Sequence, residues 1–84
     1  MDKAEVQKKV LEITAQVLNV DPAKIKPEST FSNDLGAESI QSIQLVAAYE
    51  EGFDIEMDED EALAVKKVGD AIEFIHKVVQ AQHG

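Results

Sequence analysis

The chain has 84 residues, 17 of them Asp or Glu and 8 Lys or Arg, for a net charge of −9, and it contains no cysteine. That length allows one small domain, expected over residues 1–84, whose thin core must come from packed amphipathic elements because disulfides and Cys-based metal sites are excluded. The negative charge repels nucleic-acid phosphates and anionic membranes, so no nucleic-acid partner is expected and basic surfaces of other proteins are.

Val6, Val10, Ile13 and Val17 recur at spacings of four and three, with Leu11 and Leu18 beside them. Lys3 to Leu18 is therefore predicted to be a helix with one apolar stripe and a wet side of Lys8, Lys9, Glu12 and Gln16. Asn19 and Asp21-Pro22 end it, since proline lacks an N–H and disfavours helix in the residue before it. Residues 19–37 follow as a long connection holding both prolines. A structureless loop of that length is unusual in a compact domain and often functional. Ile25, Phe31 and Leu35 are its spaced apolar anchors.

A second helix is predicted from Ser39 to Glu51-Gly52, glycine suiting a helix C-terminus. It is apolar on two sides and so must meet two partners. Leu45, Val46, Tyr49 and the following Phe53 are assigned to the core, and Ile40, Ile43 and Ala47 to an exposed stripe. A buried Tyr49 requires a partner for its hydroxyl or a route to water. Phe53 to Met57 alternates apolar and acidic residues, but nothing else in the chain could pair with it as a strand, so it is read as an extended connector. Asp58 to Val65 is a short helix with acids at its N-terminus, where the helix dipole favours them. Gly69-Asp70 opens the last helix, to about Gln82, with Ala71, Ile72, Ile75, Val78 and Val79 inward. The predicted fold is an all-α four-helix bundle, three longer helices and one short, with a long loop between the first and second. No apolar run approaches the roughly 18 residues of a membrane span, and the N-terminus lacks the layout of a signal peptide. A cytoplasmic monomer is expected.

The serines at 29, 32, 39 and 42 and the histidines at 76 and 83 form no recognisable nucleophile–base motif, so the chain is not expected to be an enzyme. His76 is read as an edge residue and His83 as part of a fraying terminus. An EF-hand counted from Asp54 puts Glu59 where the turn glycine belongs and Val65 where a bidentate Glu belongs, so no metal site is expected.

Ser39 opens a helix, which by itself fits an ordinary cap as well as an exposed attachment point. The segment around it, Asp34-Leu35-Gly36-Ala37-Glu38-Ser39-Ile40, resembles the signature of the acyl carrier protein family, Asp-Leu-Gly-x-Asp-Ser-Leu, with Ser39 on the modified serine. Tyr49 to Ile55 and Val68 to Ile75 are similar to that family's stretches around its third and last helices. The resemblance implies a 4′-phosphopantetheine arm, derived from coenzyme A, joined covalently to Ser39. The arm's thiol would carry acyl intermediates for fatty-acid, lipid or polyketide-type biosynthesis and supply the thiol that the chain lacks. It also implies as partners a phosphopantetheinyl transferase and acyl-loading, condensing and acyl-transfer enzymes with basic docking patches. Asp34, Leu35, Glu38, Ile40, Ile43, Ala47 and Glu50 are the expected recognition residues. An aminoacyl, peptidyl or D-alanyl carrier is one alternative, and an unmodified helical interaction module another. The chain departs from the family at Gln41 and Gln44, where acids are usual. Losing them weakens steering towards basic enzymes, which suggests a specialised member, with neutral drift at a tolerant surface as the alternative.

Overall fold

The computed structural model describes residues 2–83; Met1 and Gly84, part of the expected domain, lie outside the described residues. Four helices follow in chain order, α1 (Lys3–Leu18), α2 (Ser39–Phe53), α3 (Glu59–Ala64) and α4 (Val68–His83). Three are long and one is short, as predicted. Helix α1 packs against both α2 and α4, while α3 lies on α2. Among the described residues, no helix is long and apolar enough to cross a membrane.

Local chemistry sets the ends of α1. Asp2 Oδ1 accepts the Glu5 N–H at 2.9 Å, satisfying a donor that the first helical turn leaves free. Asn19 closes the helix in the left-handed conformation, φ 56°, which its short polar side chain tolerates. The buried face differs from the predicted stripe. It is Val6, Val10, Thr14 and Leu18 at a constant spacing of four, with Ala15, while Ile13 and Val17 are half-buried. Thr14 turns inward because its hydroxyl has a hydrogen-bond partner there, the hydroxyl of Tyr49.

Helix α2 buries Leu45, Val46, Tyr49 and Phe53, as its pattern indicated. It does not end at Gly52. Asp54 takes the left-handed closing position, φ 54°, and Gly52 lies inside the helix. The reason is tertiary: a Cβ at Gly52 would come within 2.7 Å of Ile13 Cδ1, so glycine lets α1 press onto α2.

The connection over residues 19–37 is not structureless. Pro22–Lys24 form a 3-10 turn that Asp21 caps through the Ala23 N–H at 2.9 Å. Further on, the chain is stitched antiparallel to the residues opening α4. Phe31 N–H donates to the Lys66 carbonyl at 3.0 Å, Val68 N–H to Ser29 at 2.9 Å and Gly69 N–H to Pro27 at 2.8 Å. Ile25 is fully anchored in the core, whereas Phe31 and Leu35 are half-buried.

Phe53 to Met57 leads into α3 without forming a strand, as expected, and Asp58 caps α3 by accepting the Glu61 N–H at 3.0 Å. The end of α4 ties this connector down. Gln82 donates to the Glu56 carbonyl at 2.7 Å and accepts the Glu56 N–H at 3.0 Å. His83, expected in a fraying end, instead donates from Nε2 to the Asp54 carbonyl at 2.6 Å. His76 is half-buried and pairs with Gln80 one turn on.

Candidate functional site

Ser39 is the first residue of α2 and is exposed. Glu38, not Ser39, occupies the capping position, so the serine is released from the ordinary use of a helix-start serine. Among the described residues, nothing hydrogen-bonds the Ser39 hydroxyl. Ser29 differs: it is buried, and its Oγ accepts the Lys26 N–H at 3.1 Å. The first turn of α2 contains no acidic residue. Its free N–H groups and the positive end of the helix dipole therefore favour an anion at Ser39. An exposed, unengaged hydroxyl at such a helix end fits a phosphodiester.

The approach to Ser39 is held by the loop before it. Gly36 has φ +71°, a conformation that costs a side-chain-bearing residue strain and glycine none. Asp34 is exposed, yet its Oδ2 accepts from the Thr30 N–H at 2.8 Å and the Thr30 hydroxyl at 3.2 Å, closing the turn. Ala37 is buried and pins the chain just before the serine. At the helix itself, Glu38 N–H donates to Gln41 Oε1 at 2.9 Å. Gln41 thus has a structural task, the returning half of a capping box. Gln44 is exposed.

The other expected recognition residues fall into two groups. Ile40 is 63 % exposed and Ile43 50 %, and Ala47 is exposed with them, so the predicted apolar stripe does face solvent. Glu38 is exposed beside it. Leu35, by contrast, is half-buried against the core, and Glu50 directs Oε2 to the Met57 N–H at 3.0 Å. Glu50 therefore holds the α2–α3 connector.

A half-open cavity of about 90 Å³ lies between α2, α3 and α4. Leu45, Val46, Leu63, Phe74 and Ile75 make it apolar. Exposed Ser32 and Lys66 line it on the solvent side, and half-buried Ser42, one helical turn from Ser39, lines it too. Tyr49 forms part of its deep wall, 4 % exposed, with its hydroxyl on Thr14. Burial pushes the phenol pKa up to about 12, against a smaller lowering by the hydrogen bond. Thr14 escaped the sequence reading because threonine is polar. The signal was present in its place at the fourfold spacing of Val6, Val10 and Leu18, and in Tyr49's need for a partner.

A family model described as the phosphopantetheine attachment site matches residues 8–75. The acyl carrier protein of Thermosynechococcus vestitus (strain NIES-2133 / IAM M-273 / BP-1) is 42% identical over 81 residues, 96% of this chain and 100% of that protein. The acyl carrier protein of Porphyromonas gingivalis strain ATCC 33277 is 40% identical over 74 residues, 88% of this chain and 95% of its own, and that of strain W83 is similar to the same extent. The chain thus belongs to the acyl carrier protein family, non-catalytic carriers that hold acyl groups as thioesters on phosphopantetheine and deliver them to biosynthetic enzymes.

Proposed function

We propose that this protein carries its acyl group on a phosphopantetheine arm joined to Ser39 Oγ, and that partner enzymes dock on Ile40, Ile43 and Ala47. The observation that carries the reading is the Ser39 hydroxyl, exposed at the positive end of α2 with no hydrogen bond among the described residues, one turn from Ser42 in the lining of an apolar cavity. When bound, the arm supplies the thiol on which the acyl group is held. The protein's own residues do the rest. Gly36 and the Thr30–Asp34 turn present the serine to the transferase. The first turn of α2 favours the charge of the phosphodiester. Leu45, Val46, Leu63 and Ile75 offer an apolar chain shelter from water. That lining favours an acyl cargo over an aminoacyl one, whose polar amine would lose hydration there.

The exposed isoleucines supply apolar contact, and Glu38 the charge beside it that meets basic enzyme surfaces. Asp34, Leu35 and Glu50 support recognition by holding the loop and the α2–α3 connector in shape. The neutral face at Gln41 and Gln44 favours partners that depend less on steering by charge, consistent with a specialised carrier.

Intact mass after co-expression with a phosphopantetheinyl transferase tests the attachment. Wild type gains the mass of one arm, while Ser39→Ala gains none and keeps its helical circular dichroism. An arm retained by Ser39→Ala would refute the site. No mass gain in wild type would favour the unmodified interaction module.

A further inference from the structure

The cavity between α2, α3 and α4 has an open end and a closed one. Its lining runs from exposed Ser32 and Lys66 on the solvent side to buried Leu45, Tyr49 and Ile75 on the core side. Along α2, Tyr49 stands seven residues past Ser42, about 10 Å at 1.5 Å per residue. Its ring is nearly without exposed surface and its hydroxyl is bonded to Thr14 on α1, which has none. The ring cannot swing aside without breaking this buried bond and leaving the phenol hydroxyl without its partner, so that end of the cavity is held shut. At about 90 Å³, the space is smaller than the engineered void of about 150 Å³ that takes up one benzene.

Resting on the acyl-carrier reading, we propose that Tyr49, fixed by Thr14, is the end wall that limits the length of acyl chain this protein shelters. Short chains lie wholly inside. The distal carbons of long chains remain in water, open to enzymes that act on them. Tyr49 is a specificity-determining residue in this sense, and Thr14 its positioning residue. The ring, rather than the hydroxyl, is the obstruction, and the hydroxyl keeps the ring in place.

The test uses the full-length protein with the arm on Ser39, loaded with a homologous series from butyryl to dodecanoyl. The first readout is melting temperature against chain length. In wild type, each added carbon raises the melting temperature up to a break point, after which further carbons add nothing. Tyr49→Leu shifts the break point to longer chains. Tyr49→Phe, which keeps the ring, leaves it near the wild-type length while lowering the unloaded baseline.

The second readout needs no variant. Tyr49 is the single tyrosine of a chain without tryptophan, so the tyrosine near-ultraviolet spectrum reports on it alone. That spectrum changes as the chain lengthens and stops changing at the wild-type break point. A common break point for wild type and a folded Tyr49→Leu would overturn the proposal. So would a tyrosine spectrum insensitive to chain length, which decides the matter even where Tyr49→Leu does not fold. Failure of Ser39 to accept the arm is a separate result, seen by mass before any acyl chain is added, and it sinks the carrier reading on which the proposal stands.

Discussion

The Tyr49 hydroxyl on α2 and the Thr14 hydroxyl on α1 are hydrogen-bonded to each other inside the core, 35 positions apart in the chain. Water reaches neither well, so a partner left unpaired there costs about 1–3 kcal/mol. The two deletions are not equivalent. Thr14 can turn its hydroxyl to a carbonyl of its own helix, whereas the Tyr49 phenol has no such recourse. Thr14→Val is therefore expected to destabilise more than Tyr49→Phe, and the double variant less than the sum of the two. Urea midpoints at constant slope measure all three.

Alkaline pH should attack the same pair. Burial pushes the Tyr49 phenol from its ordinary pKa of 10.0 up to about 12 in the folded protein. Because the folded value is the higher, the contribution is fully present below pH 10.0 and is lost as pH rises towards 12. Over that window the unfolded chain sheds the phenolic proton first, so unfolding becomes easier. Charge repulsion within a chain of net charge −9 acts alongside this at high pH. Tyr49→Phe separates the two effects: wild type should lose stability more steeply than the variant, and phenolate absorbance should rise together with unfolding. A phenolate titrating near the ordinary tyrosine value in a still-folded protein would contradict this.

The stripe on α2 should matter to enzymes and not to folding. Ile40 and Ile43 are at least half exposed, so Ile40→Ser and Ile43→Ser should each change stability by no more than about 0.5 kcal/mol. Transfer of an acyl group between the loaded carrier and a partner enzyme should fall well beyond what that change explains. Equal losses of melting temperature and transfer would show the residues to be structural.

Gln41 and Gln44 should separate, although both stand where the family usually has acids. Gln41 Oε1 accepts the Glu38 N–H, so Gln41→Ala removes a cap bond and should cost about 0.5–1.5 kcal/mol of stability. Gln44 is exposed, so Gln44→Glu should leave stability nearly unchanged. Against a basic enzyme surface its charge is worth about 0.2–1 kcal/mol, a gain of up to a few-fold in apparent affinity, mostly in association rate. Salt should erase the gain. Association rates of fully arm-loaded wild type and Gln44→Glu across ionic strength measure it, and no difference at low salt would mean that the neutral face does not set partner choice.

Where interactions reach across only a few residues, the sequence alone was enough. Apolar periodicity placed α1 within Lys3 to Leu18, Asn19 and Asp21-Pro22 stopped it, and Leu45, Val46, Tyr49 and Phe53 marked the inner face of α2. The outward stripe of Ile40, Ile43 and Ala47 followed from the same period of the helix. Ser39 was legible as a helix start, though only the wording of the segment around it raised it above an ordinary cap. What the sequence could not decide depended on groups far apart in the chain. Thr14 reads as a polar surface residue until Tyr49 meets it, and Gly52 as a helix end until Ile13 presses against it. His83 reads as a loose terminus until the Asp54 carbonyl, 29 positions away, receives its N–H. The cavity is likewise invisible along the chain, because its walls come from three helices and the segments between them, and one of its rings is held in place by a hydrogen bond from a fourth helix. A hydrogen bond or a void between helices has no local period, so it exists only once packing has brought its members together.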